Sequence, residues 1–236
     1  MSALLSATDL HAYYGAIHVL HGIGLEIGRG ETVALMGRNG MGKTTLLRSL
    51  MGLVRERSGR VTLGARDVSA APPEDIARGG VAFVPEGRGI FASLTVVENL
   101  VMAARAAPDG RRTWTLERIF TLFPRLAERR HHWGNQLSGG EQQMLTLGRA
   151  LMTNPELILI DEATEGLAPM IAQTIWQTLR AIRQEGVAAL VVDKDFRALS
   201  ALADRVLLMT KGELVFTGTP AELKAQGELL EKHLGV

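Results

Sequence analysis

No cysteine occurs in the chain, which removes disulfides, thiolate metal sites and cysteine nucleophiles together and fits a reducing compartment. An excess of one charge is missing too. The 236 residues carry 26 Lys and Arg against 25 Asp and Glu, a formal net charge of +1, so nothing demands nucleic acid or another polyanion as a partner. No run approaches the roughly eighteen apolar residues of a membrane span, and the opening MSALLSATDLHAYYG carries no basic segment ahead of its apolar residues. A soluble, cytoplasmic chain is expected. Repeats and low-complexity linkers are absent as well. What remains, with 46% hydrophobic residues, is enough to bury a core in one large domain or two small ones.

Hydrophobic spacing then divides the chain. Ile23, Leu25 and Ile27 alternate with Gly24, Glu26 and Gly28, and a turn at Arg29 and Gly30 leads into an apolar run over 32–36, which predicts strand, turn, strand. A second short hairpin is expected over 61–68. Compact apolar runs at 81–84, 157–160, 187–192 and 206–209 suit strands buried on both faces of a parallel sheet. Helix-period stretches lie between them at 141–152 and 170–183, so the fold class is α/β with right-handed crossovers, preceded by an N-terminal antiparallel β subdomain. Residues 87 to about 135 break the rhythm, with helical spacing over 96–107 and 116–126. With the helix that follows, they predict a helical subdomain inserted over about 87–150. Thr219, Pro220 and Glu222 supply an N-cap, an N1 proline and an N3 glutamate for a short terminal helix.

Gly37-Arg38-Asn39-Gly40-Met41-Gly42-Lys43-Thr44 follows a predicted strand and opens an apolar helix over Leu46 to Leu50, with Thr45 counted among the nucleotide-binding residues. This is the phosphate-binding loop in its required context. Glycines allow the backbone N–H groups to approach β- and γ-phosphates, with the helix dipole behind them. Lys43 adds a point charge, and Thr44 a hydroxyl for Mg²⁺. The strand over 157–160 runs into Asp161 and Glu162, two neighbours expected on opposite sides of a strand. Asp161 can serve the magnesium shell there, while Glu162 faces the γ-phosphate and orients or deprotonates water. Leu137-Ser138-Gly139-Gly140-Glu141-Gln142 is a second glycine-containing helix start, with Ser138 as N-cap and Glu141 at N3, again offering N–H groups to an anion. A GTPase would carry a guanine-reading Asn-Lys-x-Asp turn, and a kinase has no use for the LSGGEQ segment. The six histidines, His11, His18, His21, His131, His132 and His233, show no ligand spacing. His18 and His21 share a face only on a helix, and none is assigned a metal.

The phosphate loop, LSGGEQ, the LILIDE strand and Glu165-Gly166-Leu167-Ala168, in this order across nearly the whole chain, resemble an ABC transporter ATPase subunit. Pro85-Glu86-Gly87-Arg88-Gly89-Ile90-Phe91, followed by Leu94-Thr95-Val96-Val97-Glu98-Asn99-Leu100, and Gly166-Leu167-Ala168-Pro169 are similar to the branched-chain amino-acid importer group. The resemblance implies an ATPase using ATP and Mg²⁺, with a second ATPase subunit, identical or related, completing each ATP site through Ser138, Gly139, Gly140 and Glu141. It implies ABC permease subunits, a periplasmic binding protein acting indirectly, and a place on the cytoplasmic face of the inner membrane. Branched-chain or related hydrophobic amino acids are the implied solute, with urea or amides, or a weakly hydrolysing subunit, as alternatives. Tyr14 matches the adenine-stacking aromatic, with Tyr13 as its rival. Glu86 stands where most of the family has a glutamine touching Mg²⁺ and water. The family's switch histidine is replaced by Lys194, read as a γ-phosphate sensor or as a solvated bystander.

Overall fold

The computed structural model describes residues 3–234. The N-terminal strands β1 (Leu5–Tyr14) and β2 (Ile17–Ile27) pair antiparallel, and β1 pairs on its other side with β4 (Glu56–Leu63), which turns back into the short β5 (Arg66–Asp67). The expected alternation is present in β2, where Leu20, Ile23, Leu25 and Ile27 are buried. Its successor β3 (Thr32–Met36) is not its hairpin partner. The chain turns at Arg29 and Gly30 into a second sheet, in which β3 lies parallel between β8 (Ala188–Val192) and β9 (Arg205–Thr210). That six-stranded sheet has the order β10-β9-β3-β8-β7-β6, with β6 at Val81–Val84, β7 at Leu157–Asp161 and an antiparallel edge strand β10 at Glu213–Gly218.

Strands β3, β7 and β8 are buried at every position, as fits a parallel sheet covered on both faces. Val33, Leu35, Leu157, Leu159, Leu190 and Val192 pack with helix α1 (Lys43–Leu50) and the antiparallel sheet. Ala34, Met36, Ile158, Ile160 and Val191 pack on the other side with α6 (Gly139–Met152), α7 (Pro169–Gln184) and α8 (Phe196–Leu202). A short helix α2 (Pro73–Arg78) precedes β6.

Between β6 and β7 the chain forms α3 (Val96–Val101), α4 (Leu116–Leu122), α5 (Pro124–Glu128) and α6. Both earlier helices are shorter than their hydrophobic spacing predicts. α3 ends six residues before the expected 107, in a segment whose polar tip is Pro108-Asp109-Gly110. The 116–126 stretch breaks at Phe123, because Pro124 supplies no N–H for a continuing helix and restarts it as N1 of α5. Thr95 and Glu98 form a reciprocal capping box at α3, as Thr219 and Glu222 do at α9 (Pro220–Ala225). The chain's last described helix, α10, runs over Gly227–Leu234.

Candidate functional site

Four parallel strands deliver the predicted site residues to one edge of the sheet. β3 ends at Met36 before the glycine loop, β7 ends at Asp161, β8 ends two residues before Lys194, and β6 ends two residues before Glu86. Ligands of open α/β sheets bind at these carboxyl ends. The loop is fixed by its own backbone. Gly37 has φ 148°, and a Cβ there would collide with the carbonyl oxygen of Met209, so only glycine fits. Gly42, at φ 102°, is the N-cap residue of α1. Met41 turns inward, its sulfur accepting from the N–H of Lys211 at 3.3 Å, which leaves its backbone N–H as its contribution to an anion.

Lys43 is buried, and its ammonium donates to the carbonyls of Gly37 at 2.8 Å and Arg38 at 3.0 Å. Burial lowers its pKa, while the charges of Glu162 and Asp161 work in the opposite direction. A cavity of about 330 Å³ over the loop is bordered by Asn39, Gly40, Gly42, Lys43, Thr44 and Thr45 on one side and by Glu86, Glu162, Glu165 and Lys194 on the other. Arg38 and Asn39 also border a neighbouring cleft with Asp193 and Lys194. Val19 of β2 reaches the main cavity as well, a residue no motif announces.

The two adjacent carboxylates are separated by backbone geometry rather than by strand alternation. Asp161 is the last strand residue, 1% exposed, whereas Glu162 has left-handed φ 47° and donates its N–H to the carbonyl of Val192 at 2.9 Å. Burial pushes the Asp161 carboxyl up, with the Thr44 hydroxyl beside it favouring the charge. Neither of its oxygens is exposed or completes a hydrogen bond. A divalent cation would satisfy such an orphaned buried carboxylate, and Thr44 and Asp161 therefore fit Mg²⁺. Glu86, by contrast, is exposed, and its carboxylate falls within 4.8 Å of those of Glu162 and Glu165.

Glu162 is pushed up to about 7, first by desolvation and then by Glu165, with Lys194 opposing both. The Lys194 ammonium donates to Glu165 and stands 3.4 Å from Glu162. Its own pKa is raised, chiefly by Glu165. Lys194 is thus an ion-paired member of the cluster, not a free solvated side chain. Asp193, which the sequence left without a role, accepts from the Thr164 hydroxyl at 2.7 Å and its N–H at 3.1 Å, tying the loop after β7 to the end of β8.

Because folding raises the pKa of Glu162 above its ordinary 4.5, the folded state holds this proton more tightly than the unfolded one. The associated stability is full below about 4.5 and is lost as pH rises through about 7. Glu162→Gln, which keeps a donor toward Glu165 and carries no charge, should therefore melt a few degrees above wild type at pH 8 and together with it near pH 4.5, in thermal unfolding without nucleotide.

Ser138 caps α6, and Glu141 returns the capping box, accepting from the Ser138 N–H at 2.8 Å and pairing with Arg129 at 2.8 Å. Among the described residues, Ser138, Gly139, Gly140 and Glu141 do not border the cavity over the phosphate loop. A second cavity of about 470 Å³ leads from Glu162 and Glu165 past Glu86 and Arg88 to Gln142 and Gln143 of α6. Arg88 lies in the 85–91 segment, which assigns it no role. Its guanidinium lies over the helix start, where a Cβ on Gly139 would come within 2.6 Å of it. Tyr13 stacks on His18 with centroids 4.3 Å apart, whereas Tyr14 stands 45% exposed at the end of β1 and outside the cavity lining.

A glycine loop between a buried strand and a helix, with a carboxylate pair at the end of a neighbouring parallel strand, defines a P-loop nucleotide-hydrolysing domain. The family model described as ABC transporter matches residues 20–165. The chain is 39% identical over 232 residues to the high-affinity branched-chain amino acid transport ATP-binding protein BraG of Pseudomonas aeruginosa, covering 98% of this chain and 100% of that protein. It is 30% identical to the lipopolysaccharide export system ATP-binding protein LptB of Haemophilus influenzae, over 99% of this chain and 98% of that one. The dimeric post-hydrolysis structure of the ATP-binding cassette MJ0796, bound to ADP and Pi, superposes with a TM-score of 0.80 at 26% identity, covering 92% of this chain and 98% of that one. This chain belongs to the ABC transporter family and is its ATP-binding, ATP-hydrolysing cassette.

Proposed function

We propose that this chain hydrolyses MgATP to power an ABC importer for branched-chain or related hydrophobic amino acids. The observation that carries the solute class is the 39% identity to BraG across 98% of this chain and 100% of that protein, supported by the EGRGIF and GLAP segments already read as similar to that group. Residues 37–45 hold the phosphates, Tyr14 stacks adenine, and Glu162 is the general base for the attacking water. Thr44, Asp161 and Glu86 would hold Mg²⁺, which when bound neutralises charge between the β- and γ-phosphates. Lys194 senses the γ-phosphate in place of the switch histidine. Ser138, Gly139, Gly140 and Glu141 act on the nucleotide of a second ATPase subunit, identical or related. The domain spans 1–236, with the helical subdomain over about 87–150. It sits on the cytoplasmic face of the inner membrane against permease subunits that a periplasmic binding protein feeds.

Cells lacking this chain should lose uptake of radiolabelled leucine while urea uptake and lipopolysaccharide export continue. Unchanged leucine uptake with loss of either other process would overturn the assigned solute. No helix among the described residues is long and apolar enough to cross a membrane. Phe91, 45% exposed with the Arg149 guanidinium 4.8 Å above its ring, and the half-buried Leu94 are the apolar candidates for contact with the permease subunits. Phe91→Asp should abolish leucine uptake while basal ATP hydrolysis persists, measured side by side in membranes and with purified chain.

A further inference from the structure

The outer face of the N-terminal sheet gathers three of the six histidines beside one carboxylate, far from any role in the ATPase motifs. His11 Nδ1 lies 3.0 Å from His18 Nε2, while His11 Nε2 lies 3.1 Å from Asp9 Oδ1. The His21 ring is 4.0 Å from that of His18, centroid to centroid. Strict alternation along β2 would place His18 and His21 on opposite faces. The strand pairing shows why it does not: Ala12 faces Leu20 while Tyr13 faces His18, so Val19 is an extra residue on β2. The bulge sends Val19 to the phosphate-loop cavity and returns both histidines to the outer face. A second irregularity, on β1, falls at Asp9, whose φ of 51° is unusual for a non-glycine residue and aims its carboxylate at His11. Opposite it Gly22 leaves the needed room, since a Cβ there would stand 3.1 Å from Asp9 Oδ1.

We infer that Asp9, His11, His18 and His21 form a binding site for a first-row divalent cation of the zinc type, outside the nucleotide site. Two imidazole nitrogens bound at about 2.0–2.1 Å to one tetrahedral zinc stand about 3.3 Å apart, close to the 3.0 Å between His11 Nδ1 and His18 Nε2. The Asp9 carboxylate fixes the proton of His11 on Nε2 and leaves Nδ1 as the metal-facing lone pair, the outer-shell arrangement of histidine metal ligands. His18 needs only to carry its proton on Nδ1 for Nε2 to face the same point, and Tyr13, stacked on its ring at 4.3 Å, holds that plane. The His21 ring, packed against Gly212 and 4.0 Å from that of His18, would supply the third nitrogen only by rotating toward the His11–His18 pair. An all-imidazole set with no thiolate selects zinc, nickel, copper or cobalt over magnesium and calcium.

The test titrates Zn²⁺ and Co²⁺ into untagged, nucleotide-free full-length protein stripped of metal. One equivalent of Zn²⁺ should bind, Co²⁺ should give the visible absorption of a tetrahedral nitrogen site, and Asp161→Asn should bind as wild type does. The His11→Gln, His18→Gln double variant, checked for fold by circular dichroism, should lose the Co²⁺ band, and Asp9→Asn should weaken Zn²⁺ binding by about 10–100-fold, as loss of an outer-shell partner does. Independently of any variant, Zn²⁺ should protect His11, His18 and His21 of the wild-type chain from diethylpyrocarbonate, mapped by mass spectrometry, and leave His131 and His132 reactive. Equal Zn²⁺ binding by wild type and double variant, loss of binding in Asp161→Asn alone, or no protection of the three histidines would overturn the site and leave a histidine-to-histidine hydrogen bond.

Discussion

Glu162→Gln is expected to leave ATP binding intact and to cut steady-state hydrolysis by about 100-fold or more, the scale on which a positioned general base contributes. The amide keeps the shape of the side chain and removes its ability to take a proton from water. Asp161 cannot stand in for it, because its carboxyl is enclosed beside Thr44 and raised by burial, whereas Glu162 borders the open cavity with a pKa brought to about 7, near the operating pH where a base is most effective. The acidic limb of kcat/KM for wild type should accordingly fall near pH 7, since that quantity reports the free enzyme. Phosphate release measured beside equilibrium ATP binding checks the claim, and wild-type turnover in the variant would remove Glu162 from its role. The same variant held in ATP should sediment as a dimer, because the anion-facing start of α6 does not reach the chain's own phosphate loop. Ser138→Arg, which puts a bulky cation on that helix start, should return it to monomer.

The chemistry was more legible than its geometry. The phosphate loop, the Asp161 and Glu162 pair and the capped α6 could be placed on their elements from spacing alone, because each depends on local backbone rules: glycine at positive φ, an apolar run ending at a sheet edge, a serine three residues before a glutamate. The sheet order was not available, since β2 and β3 are neighbours in sequence and partners of different sheets, and parallel pairing leaves no local mark. The spacing overextends both helices: apolar periodicity continues past Pro124, which breaks the 116–126 stretch, and through 102–107, where the backbone has already left the helix after Val101. Glu165, Asp193 and Arg88 escaped a role in catalysis for another reason. Each acts through a contact between segments distant in sequence, and no motif encodes such a contact. The histidine cluster escaped because three register shifts between β1 and β2 invert the faces that a period of two assigns.

Lys194→Ala is expected to lower ATP hydrolysis by about 100-fold at pH 7, the cost of removing one preorganised donor to developing charge, with ADP affinity little changed because ADP lacks the γ-phosphate. Two effects contribute, and pH separates them. The Lys194 ammonium, 3.4 Å from Glu162, lowers the pKa of that carboxyl against desolvation and the repulsion of Glu165. Its removal therefore raises the pKa of Glu162 above about 7 and moves the acidic limb of the rate profile to higher pH, whereas Glu165→Gln, removing a like charge, should move it lower. The part of the loss due to a protonated base is recovered on going to pH 9. The part due to a missing contact with phosphate is not, and this residue of lost activity measures the sensor role. Lys194→His discriminates further. An imidazole is cationic only below about 6.5, where Glu162 is itself protonated, so its charge returns at the pH where the base is silent. Above pH 7 the neutral ring can still donate one hydrogen bond to the γ-phosphate, and activity there should lie between those of Ala and wild type. Full activity of Lys194→Ala across this range would make the lysine a tether for Glu165 alone and leave Glu162 and Glu86 to position the water.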